Sequence, residues 1–309
     1  MGRILTLVRN SLAPLTLAGA VLAFLYPPAF LIFADWFLWF FAATMFALGT
    51  VTEPAEFGQV LKYPRPILLG LATQYSVMPI LGFATGWLSG LEPALALGFV
   101  IVGCAPGAMA SNVIVYLAGG AVAFSVTLTS FSTLLSPLLT PSLTEFLGGV
   151  FLPVPFWPMM KTILATVLLP LIAGLLVQRM AGKYSRHLFQ EVAPAVAVVA
   201  IVVIIGYAVA ANHDRLTEVG LKVFALVVIV NLLGYAGGWY LGSLYRFSAP
   251  YRLALTIEIG MQNAGLGVAL ALEHFDSRAA LPGALFATWC ILTAAAATRV
   301  LRRRGASSG

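Results

Sequence analysis

The chain has 309 residues, 61% hydrophobic and 9% charged, with a net charge of +6. Soluble domains carry roughly 25% charged residues, so this composition excludes a soluble enzyme built around one large core. It fits an all-α membrane protein of about ten transmembrane helices, each using about 20 mostly apolar residues.

Taken in chain order, apolar runs cover 12–30, 35–51, 66–89, 94–118, 121–145, 157–179, 192–211, 219–245, 250–273 and 281–301. The first follows Arg3 and Arg9 in the manner of a signal peptide, but it continues into Tyr26-Pro27-Pro28 without a small-residue cleavage site. It is therefore expected to be a retained first helix. Positive charge clusters in alternate connections: Arg3 and Arg9, then Lys62 and Arg65, then Arg179, Lys183 and Arg186, then Arg246 and Arg252, then Arg299, Arg302, Arg303 and Arg304. This distribution is that of orienting charge and not of a nucleic-acid surface. The positive-inside rule places both termini in the cytoplasm and requires an even number of spans. The two cysteines, Cys104 and Cys290, lie in apolar runs and form neither a metal pair nor a disulfide framework.

Spans four and nine carry glycine and polar residues at mid-membrane depth. The fourth contains Gly103-Cys104-Ala105-Pro106-Gly107-Ala108-Met109-Ala110-Ser111-Asn112, and the ninth contains Glu258-Ile259-Gly260-Met261-Gln262-Asn263-Ala264-Gly265. Pro106 removes a backbone donor and disfavours helix at Ala105, and glycines tolerate irregular torsions. Each span therefore reads as two half-helices around a break. Gly103 and Gly260 are 157 residues apart, and each is preceded by an amide 29 residues earlier, Gln74 and Asn231. Five spans separate the halves, so the second half is inverted relative to the first. Paired interrupted segments of this kind point to a binding site where two repeats meet.

Glu258 is the one carboxylate placed deep within a span. A charge there costs about 2.5–3.5 kcal/mol on the insertion scale. No lysine or arginine is near it in the sequence, which leaves a bound cation or a proton as its partner. Oxygen donors suited to sodium gather around the breaks: Ser111 and Asn112 at the first, Gln262 and Asn263 at the second, Ser125 and Thr129 four apart on one helix face, and Gln74 on span three. Half-helix N-termini carry partial positive charge, and two of them aimed at the midplane suit an anion.

The segments Gly107-Ala108-Met109-Ala110-Ser111-Asn112-Val113, Ser132-Thr133-Leu134, Ser136-Pro137-Leu138-Leu139-Thr140-Pro141, Ile257 through Leu266 and Leu281-Pro282-Gly283-Ala284-Leu285-Phe286 resemble the bile acid:sodium symporter family. The resemblance runs from Met45-Phe46 to the last span. It implies two inverted five-helix repeats, roughly 12–145 and 157–301, within one transmembrane domain. It implies panel spans at 12–51 and 157–211, core spans at 66–145 and 219–301, and broken helices four and nine crossing each other. It further implies secondary active symport, by alternating access, of an organic anion with two sodium ions and no organic cofactor, in a bacterial inner membrane. One sodium site would use Ser111, Asn112, Ser125, Thr129 and Glu258. The other would use Gln74, Glu258, Ile259, Met261 and Gln262, with Ile259 and Met261 giving backbone carbonyls. Met109, Ala110, Asn263, Cys290 and Ile291 would border the substrate cavity.

Two departures fall in that last set. Bacterial members of the family it resembles often carry Thr where this chain has Met109, and often a His-Asn pair where it has Cys290-Ile291. A bile-acid-like anion and a small monocarboxylate such as pantoate or an oxo acid both stay open as substrate. Proton coupling through Glu258 and a non-transporting membrane sensor are the competing functional readings. An enzyme would need a nucleophile with a base, an aspartate pair or a metal motif. Asp35, Asp214 and Asp276 lie near span ends, and His187, His213 and His274 are expected to be solvated loop residues.

Overall fold

The computed structural model describes residues 12–51, 64–181, 183–290 and 292–293. Arg3, Arg9, Lys62, Ile291 and the arginines from Arg299 onward lie outside the described residues. The described chain is helical. In order it forms α1 (Leu12–Leu25), a single turn (Pro28–Leu31), α2 (Phe37–Gly49), α3 (Pro64–Leu88), α4a (Pro93–Gly103) and α4b (Ala110–Leu117). There follow α5 (Val122–Gly148), α6 (Phe156–Met180), α7 (Lys183–Ala210), α8 (His213–Leu244), α9a (Ala249–Gly260), α9b (Ala264–His274) and α10 over 281–290.

Five of these helices are individually long and apolar enough to cross a membrane: α3, α5, α6, the Glu191–Ala210 part of α7, and α8. At 1.5 Å per residue the 11 residues of α4a and the 8 of α4b reach only about 16 and 12 Å, each about half of a hydrocarbon core of about 30 Å. The halves of span nine are of similar size, 12 and 11 residues. Both expected breaks are present, at 104–109 and 261–263. A further irregularity escaped the sequence pattern: α6 passes through a π-helical turn at Leu164–Leu168, just before Pro170.

The distribution of side chains is that of a multi-pass membrane protein. Large apolar residues such as Leu88, Phe146, Met180 and Leu221 are at least 80% exposed. Gln74, Ser111, Ser125, Thr129, Asn231, Glu258 and Gln262 are at most 1% exposed. In water so much exposed apolar surface would drive aggregation; facing lipid it matches its surroundings.

Small residues let the helices that carry the breaks approach their neighbours. On α3, a Cβ added to Gly82 would sit 3.0 Å from the Phe99 carbonyl carbon, and one on Gly86 would sit 2.9 Å from the Ala96 oxygen. On α8, Gly234, Gly238 and Gly242 recur every fourth residue against α9a, with Gly238 backing on to the Cα of Thr256. Backbones meet this closely in membranes because dispersion contact and not hydrophobicity holds helices together there. α1, α2, α6 and α7 pack among themselves, with Phe37 stacked on Tyr207 at 5.7 Å. They meet the remaining helices chiefly where α6 touches α5 and where α7 and α2 touch α9b.

Two histidines differ from expectation. His213 opens α8 and lies 4.9 Å from the Phe24 ring, and His274 closes α9b with its Nε2 2.9 Å from Thr162 Oγ1 of α6. They pack because α8 begins six residues before the apolar run read at 219–245 and α9b ends one residue past the run read at 250–273. His187 falls within α7 and not in a loop. At the same end, Asn212 donates to the carbonyl of Ser277 at 2.9 Å, and Glu92 accepts from Arg215 and Arg278. Arg278 also donates to both oxygens of Asp276, at 2.8 and 3.0 Å, and holds that carboxyl below its ordinary range.

The α8–α9a contact yields a stability prediction. Gly238→Val puts a branched side chain against the α9a backbone and should destabilise the protein by about 1–3 kcal/mol, the usual penalty of overpacking. Gly265→Ala meets nothing closer than 3.6 Å and should leave stability unchanged. Melting temperatures of the two variants in detergent check this; equal values would remove the close approach as a constraint.

Candidate functional site: the crossing of the two breaks

The two unwound segments satisfy each other. Ala108 N–H donates to the Met261 carbonyl at 2.9 Å, and Asn263 N–H donates to the Pro106 carbonyl at 2.8 Å. Gly107 and Gln262 thereby form an isolated antiparallel bridge. Each break is also held from the helix before it: Gln74 Nε2 donates to the Ala105 carbonyl at 3.2 Å, and Asn231 Nδ2 to the Gly260 carbonyl at 2.7 Å. The amides that sequence spacing paired thus perform the same task in the two halves.

Around the crossing lie two polar groups. In the first, Ser111 and Ser125 donate to Glu258 Oε1, and Thr129 donates to Glu258 Oε2 at 2.7 Å. Asn112 Oδ1 accepts from Ser125 at 2.7 Å and from Thr129 at 3.3 Å. In the second, Gln74 Nε2 donates to Gln262 Oε1 at 2.8 Å, and Gln262 Nε2 donates to the Ile259 carbonyl at 2.9 Å. The Met261 carbonyl is engaged with Ala108, and the Glu258 carboxylate accepts its hydrogen bonds from the hydroxyls of the first group.

Both groups suit a hard monovalent cation. The donors are carboxylate, amide, hydroxyl and carbonyl oxygens. Among the described residues no arginine or lysine forms an ion pair with Glu258. Gln74 Oε1 is buried with no hydrogen-bond partner. An orphaned buried oxygen of this kind costs about 1–3 kcal/mol unless something binds it.

Beside the crossing lies a cavity of about 530 Å³. Met109, Ala110, Asn263 and Cys290 line it, while Ile291 lies outside the described residues. Its remaining wall is largely apolar, with Phe41, Met45 and Leu48 from α2 and Pro194 and Ala197 from α7. The N-termini of both half-helices border it: α4b begins at Ala110 without a side-chain cap, and α9b is capped by Asn263 Oδ1 accepting from Leu266 N–H.

Comparison with known proteins agrees with this geometry. The profile of the sodium bile acid symporter family matches residues 38–219. The chain belongs to that family. It is 36% identical over 270 residues to the uncharacterized sodium-dependent transporter YocS of Bacillus subtilis, covering 87% of this chain and 84% of that protein. It is 31% identical over 260 residues to the probable sodium/metabolite cotransporter BASS1, chloroplastic, of Arabidopsis thaliana, covering 84% of this chain but 65% of that longer one. Over 290 residues it is 34% identical to BASS6 of the same plant, also named a probable sodium/metabolite cotransporter, covering 89% of this chain and 70% of that one. The family and these relatives are transporters by name and not enzymes, and each name couples transport to sodium.

Some of the candidate site was not read from sequence. The α2 and α7 cavity wall comes from segments about 150 residues apart, and no local pattern joins them.

Asn231→Leu tests the support of the second break. It removes the buried bond to the Gly260 carbonyl and should destabilise the folded protein by about 1–3 kcal/mol. Urea or thermal unfolding in detergent measures this; wild-type stability would mean that the α9 break holds without α8.

Proposed function

We propose that this protein imports an organic anion together with two sodium ions by alternating access. The observation that carries the reading is the Glu258 carboxylate, buried at the crossing, met by hydroxyl donors alone and adjacent to an apolar cavity. Sodium is a co-substrate here. Ser111, Asn112, Ser125, Thr129 and Glu258 hold one ion. Gln74, Gln262, Glu258 and the carbonyls of Ile259 and Met261 hold the other, where the unpaired Gln74 Oε1 gains its missing partner. Charge favours this number: two cations, the Glu258 carboxylate and one monoanion sum to zero, and a net charge in a low-dielectric site is expensive.

The half-helix N-termini at the cavity meet the anion's negative end, and the apolar walls of α2 and α7 meet its body. The described lining offers the anion no lysine or arginine, so its affinity depends on the ions bound next to it. The fold reading behind the cycle is ten spans in two inverted repeats, with α1, α2, α6 and α7 as panel and α3–α5 and α8–α10 as core. Both termini face the cytoplasm of a bacterial inner membrane. Panel and core touch at His274–Thr162 on the side away from the cavity, the arrangement of a transporter closed at one end.

Melting of the purified protein in sodium against potassium at equal ionic strength tests this. A ligand that binds only the folded state stabilises it by mass action, so sodium should raise the melting temperature, and a transported carboxylate should raise it further only with sodium present. Glu258→Gln should abolish both shifts and sodium-driven uptake in proteoliposomes while the protein stays folded. Thr129→Val should weaken sodium binding about tenfold with little change in packing. Uptake that needs no sodium and follows an imposed proton gradient would replace this reading with proton coupling.

A further inference from the structure

The cavity beside the crossing is polar on one side only. Among its described lining, the hydroxyl, amide and thiol side chains are Thr44, Gln262, Asn263 and Cys290. Most of their hydrogens are committed within the protein. Thr44 donates to the Phe40 carbonyl at 3.0 Å, and Cys290 donates to the Ala287 carbonyl at 3.4 Å. Gln262 is held at both ends, by Gln74 and by the Ile259 carbonyl. Asn263 Oδ1 accepts from the Leu266 N–H, which turns Nδ2 away from that N–H. The donors left for a ligand are therefore the Asn263 amide and the uncapped start of α4b at Ala110, and both belong to the crossing.

The opposite side is carbon. Phe41 and Met45 of α2 and Pro194, Val198 and Ile201 of α7 line it. Thr44 sits among the α2 residues, but with its proton on Phe40 it can only accept. A second carboxylate or a keto oxygen on that side would lose its water and meet no donor. That loss is several times the gain from burying one methylene.

Volume narrows the ligand further. Cavities that enclose drug-sized ligands run to about 300–1,000 Å³, and this one holds about 530 Å³. An acid the size of pyruvate would leave most of the carbon wall untouched and forfeit its dispersion contact.

We propose that the transported anion is a one-headed monocarboxylate with an unsubstituted alkyl or aryl body. Its head lies at the crossing and its body against α2 and α7. The inference rests on the sodium-coupled reading above and names the substrate class of the same cavity. Affinity then follows apolar contact: it rises with each methylene until the cavity is full, and Ala197 of the α7 wall helps to set that limit.

The test is binding of butanoate, hexanoate, octanoate and decanoate, with pyruvate and octanedioate for comparison, read from titrations of melting temperature in sodium and in potassium. In sodium, affinity should rise about fourfold per added methylene and then level off. Octanedioate should bind at least about a hundredfold more weakly than octanoate, and pyruvate more weakly than hexanoate. In potassium every shift should shrink. Ala197→Phe puts a ring into the cavity and should bring the levelling point to a shorter chain. Should it fail to fold, Met45→Ala, which widens the cavity, should move that point to a longer chain. Pyruvate or octanedioate binding as tightly as octanoate, or a levelling point unmoved in the folded variant, overturns the proposal. Shifts equal in sodium and potassium and unchanged in the variant mark partition into detergent, and overturn it as well. Melting indifferent to sodium in the absence of any acid would instead sink the functional reading beneath it, so the two failures are distinct.

Discussion

The structure depends on one exchange of hydrogen bonds, Ala108 N–H to the Met261 carbonyl and Asn263 N–H to the Pro106 carbonyl. Backbone that leaves a helix inside a membrane has no water to turn to, and each unsatisfied group there costs several kcal/mol. A single broken span would leave its groups open. Two broken spans laid across each other complete one another, and Gln74 and Asn231 take up the carbonyls of Ala105 and Gly260 that remain. Neither break is stable without the other, which explains why the chain carries two breaks, each with its own preceding amide.

The same crossing decides where charge can reside. Four half-helices meet there, and their ends bring amide and carbonyl dipoles to the centre of the protein. Glu258 sits in the last turn of α9a, where helix carbonyls face it, an unfavourable place for a carboxylate. Three hydroxyl donors offset part of that cost. A cation offsets more, because it is attracted both by the carboxylate and by the carbonyl ends that repel it. The half-helix N-termini, in turn, face the cavity. The crossing therefore separates a cation-favouring side from an anion-favouring side over a few ångströms, and occupancy of one strengthens the other.

Most of this was legible in the sequence because its signals are chemical exceptions. A glutamate, a proline and several amides within apolar runs stand out, and the spacing of 29 residues before Gly103 and Gly260 tied them to a repeat. The oxygen set around Glu258 assembled as expected because Ser125 and Thr129 share a helical face. What was not legible depends on distant packing. The π-helical turn of α6 has no compositional mark beyond Pro170, the α2 and α7 cavity wall is ordinary apolar helix, and Gly82, Gly86 and Gly238 resemble any membrane glycine until their partner helix is known. The histidines were misjudged for a related reason: hydropathy ends a span where polarity begins, whereas His274 is held at its helix end by Thr162 from another helix.

The contacts around the crossing differ in strength. Where α3 meets α4a and α8 meets α9a, backbones touch through glycines and the break is bonded on both sides, so relative motion there would expose buried polar groups to lipid. Where α6 and α7 meet the ends of α9b and α10, the links are Thr162 to His274 and Asn212 to the Ser277 carbonyl, at the polar end of the helices. Bonds there exchange with water at a net change of only about 0.5–1.5 kcal/mol each. A motion that leaves the crossing intact and opens these end contacts is therefore the least costly one available. Such a motion leaves the polar groups of the crossing together and shifts the cavity wall formed by α2 and α7 against them.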